Sequence, residues 1–147
     1  MNYETLDTIA DAYVPLLGVI CIVLIAQRAL VTDWAHARKG VLLLIHGLIV
    51  TYGLMVLDYQ LGIWPAVGLD YSTHSAIAIS LVLVALFIMP SLLWPLVSSL
   101  VGYGLLMLYQ NYHTLADLLT TGVGVSLLIF PVGYVLFRPE KSSNETA

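Results

Sequence analysis

The chain alternates between long apolar runs and short polar connections. Each run has about the length, roughly 20 residues, that an α-helix needs to cross the hydrocarbon core of a bilayer. The runs cover residues 13–31, 40–57, 71–89, 91–109 and 114–137. Backbone groups in lipid must hydrogen-bond within their own segment, and runs this continuous lack the alternation of barrel strands. The pattern therefore predicts five transmembrane helices.

Composition agrees with a membrane protein and excludes a soluble domain of this size. Of the 147 residues, 60% are hydrophobic and only 10% are charged, and the mean hydropathy is +0.94. A soluble domain carries about 25% charged residues. We therefore predict an all-α integral membrane protein with one five-helix domain over residues 13–137. A short segment, 1–12, precedes this domain, and a tail, 138–147, follows it.

The basic residues predict the orientation of the chain. All five lie around the first connection or in the tail: Arg28, Arg38, Lys39, Arg138 and Lys141. With five helices these two places share one side, which the positive-inside rule assigns to the cytoplasm. The residues before the first apolar run, 4–11, are acidic, whereas a cleaved signal peptide begins with a basic n-region. This difference argues against a cleaved signal peptide. We predict a protein of the cell (inner) membrane with its N-terminus outside and its C-terminal tail cytoplasmic.

Two pairs of ionisable residues share one spacing and one predicted membrane face. His113 and Asp117 lie in "NYHTLADLL", and Asp70 and His74 lie in "DYSTHSAIAISL". Residues four apart on a helix lie on the same side of it. An ionisable residue at membrane depth marks a functional site by default. Both pairs fall on the non-cytoplasmic face, so they predict a site there.

A structural interpretation of the same residues remains open. Asp70 or Ser72, and likewise Asn111, are residue types that favour helix N-caps. The two histidines would then hydrogen-bond to neighbouring helices. The convergence of two such pairs on one face favours the functional interpretation.

Two motifs resemble signatures of the type 2 phosphatidic acid phosphatase superfamily. "YSTHSAIAISL" looks like its second signature, a Ser-x-His-Ser at the start of a helix. "YHTLADLLTTGVGV" is similar to its third signature, a His-x-x-x-Asp that opens the last helix. The resemblance covers roughly residues 40–137, and the order of the motifs, the single helix between them and their shared face all agree with it. It implies a lipid phosphatase or phospho-headgroup transferase built on a helical bundle.

The resemblance also implies roles for individual residues and no cofactor. His113 would attack phosphorus and form a phosphohistidine, Asp117 would fix the tautomer of His113, and His74 would act as general acid. A covalent intermediate lets either water or the hydroxyl of another lipid accept the group. The residues expected to bind the substrate are Asp70, Tyr71, Ser72, Thr73, Asn111 and Thr114.

The chain departs from the superfamily pattern in its basic residues. The stretches "DYQLGIWPAVG" and "GYGLLMLYQNY" contain no lysine or arginine where family members carry them. Phosphoryl transfer relies on cationic groups that stabilise the developing charge. The departure favours a phosphodiester lipid, with one charge, over a dianionic monoester. "LDYSTHSA" is similar to the second signature of the sphingomyelin-synthase-like branch.

Two alternatives use the same residues differently. Asp70, His74, His113 and Asp117 could ligate a divalent metal such as zinc, because both motifs also resemble those of predicted membrane-bound metal-dependent hydrolases. The chain could instead be a non-catalytic relative that binds a lipid or a partner protein. The few basic residues and the lack of a glycine-rich phosphate loop exclude a nucleotide or nucleic acid as partner. The membrane lipid is thus the expected substrate and the bilayer the expected surroundings.

Overall fold

The computed structural model describes residues 3–138, and within that range the chain is all-helical, with no β-strand. The five α-helices are α1 (Tyr3–Leu30), α2 (Trp34–Leu61), α3 (Thr73–Ile88), α4 (Leu93–Tyr109) and α5 (Leu115–Phe137). Single 3₁₀ turns at Pro65–Val67 and Pro90–Leu92 precede α3 and α4. The predicted all-α class and the number of helices are confirmed.

Four of the helices are long and apolar enough to cross a membrane, by length and composition. They are α1, α2, α4 with its preceding turn, and α5. The first two are longer than predicted. α1 begins at Tyr3 rather than near residue 13, so the segment predicted as 1–12 is helical from Tyr3 onward. α2 begins at Trp34 because Asp33 caps its first turn by accepting the backbone N–H of His36.

α3 is the shortest helix and lies inside the bundle. Its 16 residues span about 24 Å at 1.5 Å per residue, and it contacts each of the other four helices. Small side chains let neighbouring backbones approach closely. The buried residues of α3 are accordingly rich in alanine and serine: Ser75, Ala76, Ala78, Ser80, Leu81, Val82, Val84, Ala85 and Ile88.

Successive helices run in opposite directions, so the bundle has two distinct ends. At one end the starts of α3 and α5 meet, because Asp117 accepts the backbone N–H of Asp70 at 2.8 Å. We call this the histidine end, since His74 and His113 lie there. At the other end the last turns of α1 and α3 meet through a bond from the Arg28 guanidinium to the carbonyl oxygen of Ile88 (2.9 Å).

The second end carries every lysine and arginine that the structure describes, and we call it the basic end. The sequence places these residues at the end of α1, the start of α2 and the end of α5: Arg28, Arg38, Lys39 and Arg138. Lys141, predicted to lie in the same tail, is outside the described residues.

The C-terminal ends of α1 and α4 share one motif. Thr32 follows α1 with φ 63° and Asn111 follows α4 with φ 57°. After α4, the N–H of Asn111 bonds to the carbonyl of Leu108, and that of Tyr112 to the carbonyl of Met107, both at 3.1 Å. This is the Schellman pattern, which places one left-handed residue after the helix. Asn111 therefore ends α4, and it neither caps α5 nor lines the site.

Candidate functional site

His74 and His113 line one cavity at the histidine end. The cavity has a volume of about 250 Å³. His74 is exposed in the first turn of α3, and His113 is half-buried in the connection between α4 and α5. The Nδ1 atom of His113 is buried and has no hydrogen-bond partner. Two histidines from separate motifs thus border the same space, together with Asp11, Met107 and Tyr112.

Asp117 is buried beside this cavity but is not part of its lining. Its Oδ1 accepts the backbone N–H of Asp70 at 2.8 Å. Its Oδ2 accepts two bonds from Thr114, one from the backbone N–H (2.8 Å) and one from the hydroxyl (2.7 Å). The Thr114 hydroxyl oxygen accepts the N–H of Asp117 in return, which completes a capping box at the start of α5. One carboxylate therefore joins the two segments that carry the histidines.

The bond expected between Asp117 and the ring of His113 is not formed. Both carboxylate oxygens are bound by Asp70 and Thr114, and the Nδ1 of His113 has no partner. The spacing of four residues brings side chains together only within a helix, and His113 precedes α5, which begins at Leu115. The Asp117 carboxylate therefore joins the starts of α3 and α5 and does not hydrogen-bond to the ring of His113.

Ser72 and Thr114 are the N-caps of the two helices that begin here. The Ser72 hydroxyl accepts the N–H of Ser75, and the N–H of Ser72 donates to the Thr121 hydroxyl at 3.2 Å. Ser72 is completely buried. The structural interpretation of Ser72 is therefore confirmed, whereas α5 is capped by Thr114 and not by Asn111. Neither cap lines the cavity shared by the histidines.

Tyr71 packs inward, away from this cavity. Its hydroxyl donates to the carbonyl oxygen of Thr51 at 2.8 Å, and its ring meets Trp64 edge-on with the centroids 5.0 Å apart. The phenol therefore secures the connection before α3.

Asp70 and Thr73 are the other two residues expected to bind the substrate. Asp70 is exposed, and it contributes its backbone N–H rather than its carboxylate to the network around Asp117. Thr73 lines a neighbouring cavity of about 220 Å³, which His74 also borders. Among the residues expected to bind substrate, Thr73 is thus the one that lies on a cavity wall beside a histidine.

Asp11 is the residue at this site that the sequence interpretation missed. It borders both cavities, and so does His74. One turn earlier on α1, Asp7 accepts the Tyr112 hydroxyl at 2.9 Å and the side-chain amide of Gln110. These bonds fasten α1 to the connection that carries His113. The spacing of four residues places Asp7 and Asp11 on the same side of α1.

The four residues of the metal alternative do not assemble into a ligand set. Between residues 3 and 138, no group of three or more His, Cys, Asp or Glu side chains is positioned to hold a metal ion. The carboxylate of Asp117 is turned to backbone and hydroxyl donors. Besides Met107 and Tyr112, the residues that border the cavity are His74, His113 and Asp11.

The histidine end is acidic. Acidic residues from four parts of the chain gather there: Glu4, Asp7, Asp11, Asp58, Asp70 and Asp117. The lysines and arginines that the structure describes, Arg28, Arg38, Lys39 and Arg138, lie at the basic end. Among the described residues of the histidine end, His74 and His113 are therefore the side chains of a type that can carry positive charge.

Comparison with known proteins identifies no relative of this chain. No family model matches the sequence, and no curated protein and no solved structure matches it. The resemblance to the phosphatase superfamily therefore rests on the two motifs themselves.

Proposed function

We propose that this chain is a membrane-embedded lipid phosphatase or phospho-headgroup transferase with its reaction centre between His74 and His113. The observation that carries the proposal is the shared cavity, which two histidines from separate motifs line. Supporting it, the N-terminal ends of α3 and α5 meet beside this cavity, and the positive end of a helix dipole attracts phosphate.

The proposed reaction has two steps. The imidazole of His113 attacks phosphorus, and an N–P bond forms while the P–O bond to the leaving alkoxide breaks. Protonated His74 gives its proton to that alkoxide. Water or a lipid hydroxyl then attacks phosphorus and gives its proton to His74, and the N–P bond breaks to restore His113.

Asp11 and Asp117 have different parts in this proposal. Asp11 borders the same two cavities as His74, so it contributes negative charge to the surroundings of the proposed reaction centre. Asp117 positions both histidine-bearing segments through its bonds to Asp70 and Thr114. The acidic surroundings disfavour a dianionic headgroup, so the substrate we propose is a phosphodiester lipid with one charge.

We further propose that the histidine end faces the outside of the cell and the basic end the cytoplasm, with α3 as a fifth, inner span. The positive-inside rule supports this orientation. Cysteine labelling tests it cleanly because the single native cysteine, Cys21, is buried. A membrane-impermeant reagent should label Ala66→Cys in intact cells, and should label Ala35→Cys only after permeabilisation. The reverse pattern would overturn the orientation.

Turnover of a phospholipid panel by the purified protein tests the reaction. We expect products from phosphodiester lipids in the presence of a chelator, and their loss in His113→Ala. His46→Ala is the matched control, because its ring nitrogen Nε2 lies 3.2 Å from the carbonyl oxygen of Leu128 in the bundle, away from the cavity. This variant should retain the activity of the unmodified chain.

Two results would replace the proposal with an alternative. Turnover that a chelator abolishes, with bound zinc lost in both His74→Ala and His113→Ala, would mean that the histidines ligate a metal. An absence of turnover on every lipid, with lipid binding retained, would mean that the chain is a non-catalytic relative.

A further inference from the structure

A continuous apolar groove runs along α3, between α4 and α5. In the part of the chain that the structure describes, α4 packs against α3 and α1 and makes no comparable contact with α5. Three cavities fill this gap, with volumes of about 270, 560 and 540 Å³ from the histidine end to the basic end. The first two share Ile79 and Leu118, and the last two share Leu83 and Leu86. They therefore form one groove.

The cavity at the basic end has an aromatic wall and a cationic rim. All three phenylalanines of the sequence line it: Phe87, Phe130 and Phe137. Arg28, His36 and Arg138 also border it. A volume of this size is typical of small-molecule sites, which combine an apolar lining with a few polar groups.

The two arginines at this rim are placed to receive an anion. Arg28 donates one N–H to the carbonyl of Ile88, and a guanidinium carries five donors in all. Between residues 3 and 138, no carboxylate lies within ion-pair distance of Arg28 or Arg138. Arginine suits phosphate because its planar group donates two parallel hydrogen bonds.

We infer that this groove binds an anionic phospholipid, with the phosphate on Arg28 and Arg138 and an acyl chain along α3. A cationic rim above a long apolar groove matches the two parts of such a molecule. A second copy of this chain fits less well, because in the same membrane orientation it would bring its own basic end against these arginines. The site lies at the opposite end from His74 and His113, so it does not depend on the proposed reaction.

Lipid retention by the full-length protein tests this inference. The protein is reconstituted in nanodiscs of equimolar phosphatidylglycerol and phosphatidylcholine with identical acyl chains, and retained lipid is counted by native mass spectrometry. We expect selective retention of phosphatidylglycerol. Removing one arginine near a membrane surface should reduce the selectivity about fivefold, so Arg28→Gln with Arg138→Gln should reduce it roughly twenty-five-fold.

The matched control removes the same charge at the same end of the bundle. Arg38 and Lys39 do not line the cavity, so Arg38→Gln with Lys39→Gln should keep the selectivity within about twofold. If loss of the Arg28 bond to Ile88 prevents folding, Arg138→Gln alone still tests the site. Arg138 is exposed, so this variant should fold. Leu83→Trp, which fills the groove where two of its cavities meet, should reduce the retention of phosphatidylglycerol.

Three results would overturn the inference. The first is equal retention of the two lipids by the unmodified chain. The second is an equal loss of selectivity in the control pair, which would indicate a diffuse basic surface. The third is a dimer that excludes lipid and is broken by Leu83→Trp, which would make a second copy the occupant of the groove.

Discussion

Two carboxylates fix the connections at the histidine end, whereas aromatic rings surround an open cavity at the basic end. At the first, Asp7 and Asp117 each accept hydrogen bonds from segments distant in sequence. At the second, the Phe87 ring lies 5.5 Å from that of Phe130 and 5.6 Å from that of Phe137, measured between centroids. Directional bonds hold side chains in defined positions, which suits catalysis. A wide apolar cavity accommodates flexible chains, which suits the binding of a lipid.

The largest effect expected from one substitution concerns Asp117. Asp117→Ala removes three hydrogen bonds and leaves the N–H groups of Asp70 and Thr114 without their acceptor. We expect the free energy of unfolding to fall by about 3 kcal/mol, measured by unfolding in mixed micelles. Asp70→Ala is the matched control: the side chain is exposed and the backbone N–H is retained, so the loss should be under about 0.5 kcal/mol. Equal losses in the two variants would contradict the bridging role of Asp117.

A smaller effect is expected from filling space at the basic end. Gly133 is buried in α5, and a Cβ atom there would overlap the ring of Phe87. Gly133→Ala should lower the free energy of unfolding by about 2 kcal/mol, since overpacking forces neighbours to move. Gly53→Ala is the control, because nothing lies within 4 Å of a Cβ atom there. Gly53→Ala should be as stable as the unmodified chain or slightly more stable. Equal losses of unfolding free energy in the two variants would contradict the close packing of Phe87 against Gly133.

The smallest effect is expected at the left-handed residues that follow α1 and α4. Thr32 and Asn111 both have positive φ, a conformation that asparagine tolerates and a β-branched residue does not. Thr32→Gly should therefore raise the free energy of unfolding by about 1 kcal/mol, and Asn111→Gly by less than half of that. The same unfolding experiment measures both. If Asn111→Gly raised the free energy of unfolding more than Thr32→Gly did, the strain of the left-handed conformation would not explain the two increases.

The helices could be predicted because each apolar run is long, but their ends depend on contacts between distant residues. α1 extends back to Tyr3, and its Asp7 accepts hydrogen bonds from Gln110 and Tyr112, which follow α4. A pattern of hydropathy along one helix carries no information about such partners. The hydropathy pattern also could not predict the groove, because the groove lies where α4 and α5 do not pack against each other.

The candidate site was predicted in part. The motifs and the alternating topology bring His74 and His113 to one cavity, as expected. The interpretation of Asp117 assumed that the helical spacing already held at His113. The capping box starts α5 two residues later, and the carboxylate turns to Thr114 and Asp70 instead. Asp11 could not be assigned, because its approach to the cavity depends on how α1 packs against the loop after α4.

The proposed role of His113 as the nucleophile is tested most directly through its covalent intermediate. The full-length protein is mixed with 4-nitrophenyl phosphocholine, quenched rapidly, and its peptides are analysed by mass spectrometry. We predict a phosphocholine group on His113 in the unmodified chain and in His74→Ala, because 4-nitrophenolate leaves without a proton. His113→Ala should carry no such group. Turnover with no adduct on any histidine, or an adduct on His74 alone, would contradict the account.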